Sequence, residues 1–454
     1  MLGSKVKSAA VTDLGAQAAA QRNRSVTAET PINSTKHAGM PCPRYRLYTS
    51  PGSYLRPLGS WLTGGLKRGN SVEQFEKALA LRVGSKHSIA MPQARVGIHF
   101  VLKSILKPGQ RVIMSPYTIA DVVNMVICAG GIPHFCDLEE NTCNIDPSKI
   151  ESLIDECTGA VLITHLHGLA AHPKQIRMIC DRHNIPLIED SAQAFGAIVD
   201  GQRTGTFGTA GIYSMGMYKN INAWYGGAVV TNDDQLAAKL RQYIRNFEYE
   251  SGSKILKRML KGFITDTLTL PTIFKLLVFR VFQYGMLHDV EAINKRVRTE
   301  LDLSRYDELK PTYAKRLTPV QARLAMGQLD QIDGDTDVRI AKAKLYYEGL
   351  NDLPGLILPP PLFDRSHIYT YYPIRCKDRE GVLKWLMKHR CDVAAQHLKN
   401  CAELPGFAGF GGRCPIAQAT AEQVVLLPTY PSYSDRDIRR NIAVLRAYYE
   451  QALA

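Results

Sequence analysis

The chain has 454 residues, of which 45% are hydrophobic and 22% charged, so a mostly disordered or fibrous protein is excluded. No uncharged apolar run reaches the ~18 residues that a transmembrane helix requires. The formal net charge of +14 indicates a polyanionic partner such as nucleic acid, an anionic membrane or an acidic substrate.

This charge is concentrated in two segments. Residues 1–70 hold ten Lys/Arg against two acids, which gives +8. Residues 253–283 hold six against one, which gives +5. The rest of the chain is close to neutral, so the charge predicts a property of these two segments and not of the whole protein.

Ten cysteines are scattered through the sequence without a CxxC pair, and the N-terminus has no apolar stretch typical of a secretory signal. Scattered thiols without a signal predict reduced cysteines and a cytoplasmic location.

Along the chain, residues 1–40 are rich in Ala, Ser, Thr and Gln and predict a mobile N-terminal extension. Pro and Gly then punctuate an irregular arm over 41–70. Ser71, with Gln74 three residues later, is predicted to cap a helix. One face of that helix carries three apolar residues, namely Val72, Phe75 and Leu79.

Short apolar runs alternate with helical patterns of about a dozen residues over 85–250, which predicts an α/β domain with a mostly parallel sheet. The predicted strands are VIMS (112–115), IPHFCDL (132–138), AVLITHL (160–166), IPLIED (185–190), IYSM (212–215) and AVVT (228–231).

A basic and apolar segment interrupts this alternation, and regular patterns return with TPVQARLAMGQLDQI and the strands YYPIRC (371–376) and VVLLP (424–428). We therefore predict four parts. They are an extension over 1–40, an arm and large α/β domain over 41–250, an insertion over 251–312, and a smaller α+β domain over 313–454.

Three polar features fall where a large α/β domain binds ligands. Asp190 ends a predicted buried strand, and the carboxyl ends of parallel strands face the ligand in such sheets. Lys219 lies in a loop between two strands, where partial burial would lower its pKa and free a nucleophilic amine. Ser214, five residues earlier, could hold an anion beside it. If each is considered alone, Asp190 can equally be a solvated residue at a strand end, and Lys219 a solvated lysine in a loop.

The motif THLHG places His165 and His167 two residues apart at a strand end. No third ligand with zinc-like spacing lies nearby, so we predict no metal site and a position close to a bound ligand. The sequence also lacks a dinucleotide-binding GxGxxG and a phosphate-binding GxxxxGK[ST] motif.

Longer motifs occur in the same order as these residues. They include GNSVEQFEKALA, ITHLHGLAAHPKQI, IEDSAQAFGA, YSMGMYKN, GGAVVTND, KRLTPVQARLAMGQL and LLPTYPSYSDRDI. Together they resemble the DegT/StrS-type sugar aminotransferases, which are fold-type-I enzymes that use pyridoxal 5′-phosphate (PLP). The resemblance covers about 69–250 and 313–448.

This resemblance implies specific roles. Lys219 is similar to the lysine that forms the Schiff base with PLP, and Asp190 to the carboxylate paired with the pyridine nitrogen. Gln193 resembles the residue that contacts the phenolic oxygen, and Ser214 the serine that binds the phosphate. His165 falls in the same cofactor-binding set.

The chain departs from the family at four positions. Ala94-Arg95 stands where Gly-Thr binds the phosphate at a helix N-terminus, and Arg95 could supply a charged contact instead. Ile119 replaces the aromatic residue that stacks on the cofactor. Ala314 replaces an Asn contributed by a partner subunit, and Trp224-Tyr225 replaces Gly-Glu.

The family's activity implies transfer of an amino group, commonly from glutamate, to a keto or aldehyde sugar in polysaccharide, lipopolysaccharide or related biosynthesis. The resemblance also implies a homodimer. A PLP-dependent dehydratase or other lyase is an alternative, although some relatives lose the lysine for that reaction and this chain keeps Lys219. A non-catalytic membrane-associated binding protein on the same fold is a third reading.

Residues 253–283 combine helix-spaced apolar residues with six cations, and Pro271 should divide them into two helices. Such a segment is typical of a helix lying on a membrane surface at its inner, cytoplasmic face, or of an apolar face buried against protein. We expect no nucleic-acid partner, because no recognisable module is present.

Overall fold

The computed structural model describes residues 40–47, 52–62, 65–294, 303–396 and 398–453. The predicted extension over 1–40 therefore lies outside the described residues except for Met40. The described residues contain two larger β-sheets, several short strand pairs and the helices that cover them.

The strands, in chain order, are β1 His87–Met91, β2 Arg111–Met114, β3 Tyr117–Thr118, β4 Ile132–Phe135, β5 Thr158–Thr164, β6 Leu187–Asp190, β7 Ile198–Val199, β8 Gln202–Arg203, β9 Ala210–Ser214, β10 Gly227–Thr231, β11 Glu248–Tyr249, β12 Lys315–Arg316, β13 Leu356–Ile357, β14 Tyr372–Cys376, β15 Ala394–Ala395, β16 Lys399–Asn400 and β17 Val424–Leu427.

The α-helices are α1 Gly52–Leu62, α2 Ser71–Val83, α3 Ala94–Ile105, α4 Ala120–Cys128, α5 Pro147–Ile150, α6 Pro173–Arg182, α7 Asp234–Arg245, α8 Gly252–Leu268, α9 Pro271–Leu287, α10 Glu291–Asn294, α11 Pro319–Met326, α12 Ile332–Leu350, α13 Arg379–Lys388, α14 Pro415–Gln423 and α15 Asp435–Leu453. Helix α9 is π-helical over Phe274–Val278.

The large sheet has seven strands in the order β1-β10-β9-β6-β5-β2-β4. The five strands from β9 to β4 run parallel, whereas β10 and β1 are antiparallel to their neighbours. The sheet carries fully buried strands such as β5 and β10, as expected when helices cover both faces. The predicted α/β class with a mostly parallel sheet is confirmed.

All six predicted strands of this domain occur, with shifted ends. The sequence analysis missed β1, which lies at the sheet edge and pairs antiparallel with β10. The Ser71 prediction needs a correction, because Ser71 is the first residue of α2 and Asn70 occupies the cap position without a side-chain cap bond. Phe75 and Leu79 are buried as expected.

The second sheet has four strands in the order β13-β14-β17-β15, all antiparallel. Both strands predicted from YYPIRC and VVLLP are present as β14 and β17. Helices α12, α13 and α15 contribute the side chains that pack on this sheet, among them Tyr346, Leu386 and Leu445. Helix α11 begins after Thr318, whose side chain forms a capping box with Gln321.

The insertion forms the two helices α8 and α9, bent by 68° at the break before Pro271. The predicted division at Pro271 is confirmed, since Pro is favourable at a helix start and unfavourable inside one. Among the described residues, no single helix meets the length and hydropathy of a membrane span, and α8 with α9 meets them only as this bent pair.

Candidate active site

Asp190 ends β6, at the carboxyl edge of the parallel strands. Its side chain is buried, and its Oδ1 accepts a hydrogen bond of 3.0 Å from the backbone N–H of Ala192. Burial raises the pKa of this carboxyl group, and the Ala192 N–H and the charge of Lys219 act against that shift. No donor among the described residues reaches Oδ2, so this oxygen is available to a ligand.

Glu189, the neighbouring carboxylate, points to the opposite side of the strand because side chains alternate along β6. It accepts bonds of 2.8 Å and 2.7 Å from the backbone N–H groups of Gly205 and Gly208. Glu189 thus holds the Gly-rich turn 205–208 in place, while Asp190 alone faces the site.

Lys219 lies in the loop between β9 and β10. Backbone bonds from Met215 to Gly226 and from Ala223 to Met215 close this loop, and the N–H of Lys219 bonds to Gly216. Burial lowers the pKa of the Lys219 amine, the charge of Asp190 raises it, and the charge of Arg95 lowers it again. The three charged groups therefore share one site, as predicted for Asp190 and Lys219.

His165 has both ring nitrogens engaged within the protein. Its Nε2 lies 3.1 Å from Glu189 Oε2, and its Nδ1 accepts a bond of 3.0 Å from the N–H of Ala171. The predicted cofactor contact from His165 therefore cannot be a hydrogen bond, because this ring supports Glu189 and the turn behind the site.

His167 is the site residue whose position the sequence analysis did not resolve. It is buried, and neither ring nitrogen has a partner among the described residues. Burial and the nearby charge of Lys219 lower its pKa to about 3, so the ring is neutral. The THLHG motif contains this residue, but nothing in the motif indicates which of its two histidines has unpartnered ring nitrogens.

Gln193 follows β6 and is oriented by the backbone around His167. Its Oε1 accepts a bond of 3.0 Å from the His167 N–H, and its carbonyl accepts one of 2.6 Å from Thr370 Oγ1. With Oε1 engaged in this way, the amide Nε2 is the end of Gln193 left to donate to a ligand oxygen, as the predicted role requires.

Ser214 and the N-terminus of α3 are brought together through β10. Ser214 is paired with Gly227, and a Cβ atom at Gly227 would meet the backbone nitrogen of Ala94 at 2.5 Å. Only glycine permits this approach. Gln93 forms no side-chain cap, so the first N–H groups of α3 remain available to an anion.

Arg95 is anchored within the chain. It pairs with Asp121, which also accepts bonds of 2.8 Å from the hydroxyl of Tyr306 and 3.1 Å from that of Tyr313. The guanidinium carbon lies 5.8 Å from the ring centroid of Tyr313. The structure thus places Arg95 at the site with an acidic partner that sequence reasoning had not identified.

Ile119 occupies the cap position of α4 and is partly buried against the main core. Ala314 follows the turn that carries Tyr313, immediately before β12.

Pyridoxal phosphate is compatible with this arrangement. Asp190 Oδ2 can face a ring nitrogen, the Gln193 amide can face a phenolic oxygen, and Ser214 with the start of α3 can receive a phosphate. The partly desolvated amine of Lys219 can bond to the aldehyde carbon.

The loop that carries Lys219 is fastened to the insertion. Trp224 is buried, and a Cβ atom at Gly262 of α8 would lie 3.3 Å from its ring. Arg258 of α8 lies 4.3 Å above the ring of Tyr225. The two residues that depart from the family's Gly-Glu therefore contact the helix that the sequence analysis identified as inserted.

A pocket opens beside Lys219. Its lining includes the following side chains, which come from the N-terminal arm, the Lys219 loop and the segment before β14: Tyr45, Arg46, Tyr218, Asn220 and Tyr371. Tyr218 is adjacent to Lys219, and Thr265 of α8 lies close enough to influence the pKa of its hydroxyl. The mouth of the site thus borders the insertion.

Comparison with known proteins agrees with this arrangement. The sequence profile of the DegT/DnrJ/EryC1/StrS aminotransferase family matches residues 60–263 and 285–446. The spore coat polysaccharide biosynthesis protein SpsC of Bacillus subtilis is 27% identical over 395 residues, which are 85% of this chain and 91% of that protein.

Two solved structures are also similar. DesV of S. venezuelae is 25% identical with a TM-score of 0.68, covering 88% of this chain and 94% of its own. The E. coli GDP-4-keto-6-deoxy-D-mannose-3-dehydratase with bound hydrated PLP is 16% identical with a TM-score of 0.70, covering 89% and 99%. At that identity the second structure supports the fold alone.

Proposed function

The chain belongs to the DegT/DnrJ/EryC1/StrS aminotransferase family, and from this premise we propose how its own residues carry out the reaction. It is a PLP-dependent aminotransferase of sugar biosynthesis. The observation that carries the residue assignment is that Lys219, Asp190 and Arg95 share one site. The charges of Asp190 and Arg95 act on the pKa of Lys219, and the charges of Lys219 and Arg95 act on the pKa of Asp190.

When bound, PLP supplies an electron-accepting ring that lets an amino group leave one substrate and enter another. Lys219 performs the proton transfers. Burial lowers the pKa of its amine, so a larger fraction is neutral and able to take a proton from the Cα atom of the amino donor. The same amine returns a proton when the keto carbon of the acceptor is converted to an amine.

Asp190 and Gln193 interact with the ring nitrogen and the phenolic oxygen of the cofactor. The carboxylate of Asp190 keeps a proton at the ring nitrogen, because a buried negative charge opposite that nitrogen favours the charged ring. The amide of Gln193, fixed through the His167 N–H and Thr370, donates to the phenolic oxygen.

Ser214, the N-terminus of α3 at Ala94, and Arg95 bind the phosphate, while Ile119 offers an apolar face in place of an aromatic ring. Arg95 takes the place of the missing Gly-Thr because its guanidinium, held by Asp121, lies in the first turn of α3 and can donate to a phosphate. We expect Arg95→Ala to weaken PLP affinity by roughly tenfold, measured by cofactor titration. Unchanged PLP affinity would mean that Arg95 pairs with Asp121 and makes no contact with the phosphate.

Transamination and dehydration are separated by the amino-donor half-reaction. Incubation of the PLP-loaded enzyme with glutamate should convert the bound cofactor to pyridoxamine phosphate and release 2-oxoglutarate. A lyase would be supported if glutamate leaves the cofactor unchanged and a keto sugar, added separately, loses water to give a deoxy product. The presence of Lys219 favours transfer, and a non-catalytic protein is not favoured.

The acceptor is a keto or aldehyde sugar, or a similar compound, used for polysaccharide, lipopolysaccharide or a related product. The similarity to SpsC, whose name refers to spore coat polysaccharide, supports this class. Enzyme charged with ¹⁵N-labelled glutamate and offered nucleotide-linked and lipid-linked keto sugars should transfer the label to one group, detected by mass spectrometry.

We further propose a homodimer whose sites lie at the subunit boundary, built from the large domain over 41–250 and the smaller domain over 313–454. Tyr313 lies next to Ala314 and reaches Asp121, so the segment before β12 borders the site. Analytical ultracentrifugation should give twice the chain mass, and a monomer that catalyses the half-reaction would contradict the proposal.

The segment 253–283 makes a peripheral contact with the membrane surface, at its cytoplasmic face. Exposed apolar residues on α8 and α9, and cations there that form no ion pair with any described residue, support this contact. Nucleic acid plays no part in the proposed function.

A further inference from the structure

Exposed apolar side chains are concentrated on two neighbouring parts of the molecule. The described residues include 21 large hydrophobic side chains that are exposed, of which ten lie in 252–287 and four in 52–62. Leu276 and Leu277 of α9 are 62% and 65% exposed, and Leu62 of α1 is 71% exposed. A clustering of this kind marks an interaction surface.

Helices α1 and α8 form one continuous surface. The rings of Tyr54 on α1 and Phe263 on α8 meet edge to face with centroids 5.6 Å apart, and the hydroxyl of Tyr54 bonds to Asp266. Helix α9 is seated on α13, where Gln283 Nε2 donates to the carbonyl of Met387 at 2.9 Å. The three helices α1, α8 and α9 are called the docking surface below.

The docking surface is also positively charged. Lys257, Lys261, Lys275 and Arg280 form no ion pair with any other described residue. The single acid within α8 and α9 is Asp266, which is held by Tyr54. Apolar side chains among unpaired cations match the headgroup and acyl boundary of an anionic bilayer.

A second copy of the chain does not match this surface. A two-fold contact would place the same four cations against themselves with no free carboxylate, which is repulsive. The family profile also passes over residues 264–284, so the most exposed part of the docking surface is not a component of the fold that the family shares.

We propose that the docking surface binds the enzyme peripherally to an anionic lipid bilayer, with the mouth of the Lys219 pocket beside the bound helices. This inference deepens the peripheral contact stated under the proposed function by naming the surface, the inclusion of α1 and the charge of the lipid. The contacts from Tyr218 to Thr265 and from Trp224 to Gly262 keep the pocket next to that surface.

The decisive experiment is flotation of the full chain with vesicles of phosphatidylcholine containing about 30% phosphatidylglycerol, and with phosphatidylcholine alone. We expect binding to the anionic vesicles that is at least tenfold stronger than to the neutral ones. The triple variant Leu276→Glu, Leu277→Glu, Val281→Glu should lose at least tenfold, because three charges enter the apolar face.

Matched control variants test whether binding depends on where the apolar and cationic residues lie or only on how many the protein has. The double variant Leu81→Glu, Val338→Glu changes exposed apolar residues on α2 and α12, outside the docking surface, and should bind as the wild type does. The four-fold variant of Lys257, Lys261, Lys275 and Arg280 to Gln should weaken anionic binding at least tenfold. The same change at exposed Lys77, Lys107, Arg245 and Arg413 should weaken it much less.

Trp61 reports whether α1 takes part. It is 42% exposed, and its fluorescence should shift to shorter wavelength with anionic vesicles. This shift should be absent in Trp61→Phe. A wild type that floats with neither vesicle overturns the proposal. So does a triple variant that keeps flotation while its sedimentation mass falls, because the face would then be a protein interface.

The glutamate half-reaction, measured without vesicles, is expected to be unchanged in the triple and four-fold variants. Its failure in the wild type would contradict the proposed function, whereas flotation decides the docking surface independently.

Discussion

The active site around Lys219 and the docking surface differ in what they expose to water: the site buries titratable groups, whereas the docking surface exposes apolar ones. The active site withdraws titratable groups from solvent, and the pKa values of Asp190, His167 and Lys219 are shifted as a result. The docking surface leaves leucines in solvent, with Leu276 and Leu277 more than half exposed. Both arrangements are unfavourable in the free chain, and we propose that a bound cofactor relieves the first and a bound lipid surface the second.

The comparison also separates what the family shares from what this chain adds. The matched residues 60–263 contain Asp190, Lys219 and the start of α3, whereas the unmatched residues 264–284 contain most of α9. The proposed catalytic residues therefore lie in the shared fold, most of α9 lies outside it, and α8 crosses the boundary between the two. Trp224 sits in the Lys219 loop and packs on the matched part of α8.

The largest expected effect isolates the pocket. Lys219→Ala should lower the rate of the glutamate half-reaction by about a thousandfold or more, because one group supplies both the cofactor bond and the proton transfers. Stopped-flow absorbance measures the rate. Exposed Lys77→Ala is the matched control, and vesicle flotation should be the same for both variants. A Lys219→Ala enzyme that keeps its rate would remove Lys219 from the mechanism.

The junction should give the next largest effect. Trp224→Ala removes a buried side chain from the cluster with Leu47, Leu66 and Ile255 and should lower the free energy of unfolding by about 3–5 kcal/mol. Urea denaturation measures this loss. Trp224→Phe, which keeps an aromatic ring, should lose much less. Equal losses in both variants would mean that the indole makes a specific contact beyond packing.

His167, the buried histidine of the active site, should make the free energy of unfolding depend on pH. His167 has a pKa of about 3 in the folded chain, against an ordinary value near 6.5, so between these values the unfolded chain binds a proton that the folded chain does not. The contribution of His167 to the unfolding free energy should therefore fall by about 1.4 kcal/mol per pH unit as pH drops through this range, in addition to the contributions of His99 and His367, whose pKa values are also lowered by burial. His167→Asn should flatten the slope, measured by urea denaturation between pH 7 and pH 4.

Exposed His288 provides the control for that experiment, since His288→Asn leaves the buried ring in place. A His167→Asn slope identical to that of the wild type would show that the buried ring is protonated in the folded state.

The smallest effect belongs to the docking surface. Leu276→Ser with Leu277→Ser should change the unfolding free energy by no more than about 0.5 kcal/mol per residue, because neither side chain is packed in the core. Leu386→Ser, a buried leucine of α13, should cost several times as much. A large loss from the exposed pair would mean that α9 covers apolar surface within the chain.

Sequence patterns predicted the parallel strands well because buried strands are short apolar runs with breaks at both ends. Strand β1 was missed because HSIAM begins with two polar residues and lies at an antiparallel edge. The Ser71 cap was misplaced by one residue, since Asn70 is as suitable a cap as Ser71 and local pattern does not choose between them.

The site was predicted in its central residues but not in its supports. Asp190, Gln193, Ser214 and Lys219 lie in motifs that resemble the family's. By contrast, Asp121 meets Arg95, and Tyr306 meets Asp121, only in the folded chain. His165 shows the limit of a motif, because the fold turns both of its nitrogens toward Glu189 and Ala171.

The 68° bend between α8 and α9 has a geometric consequence for an enzyme on a surface. One helix lying on a plane leaves the protein free to roll about that helix axis. Two axes that cross at 68° define the plane themselves, so rolling about either axis lifts the other from the lipid. On the bilayer surface that we propose, the bend would therefore fix the tilt of the enzyme and hold the mouth of its pocket at one height.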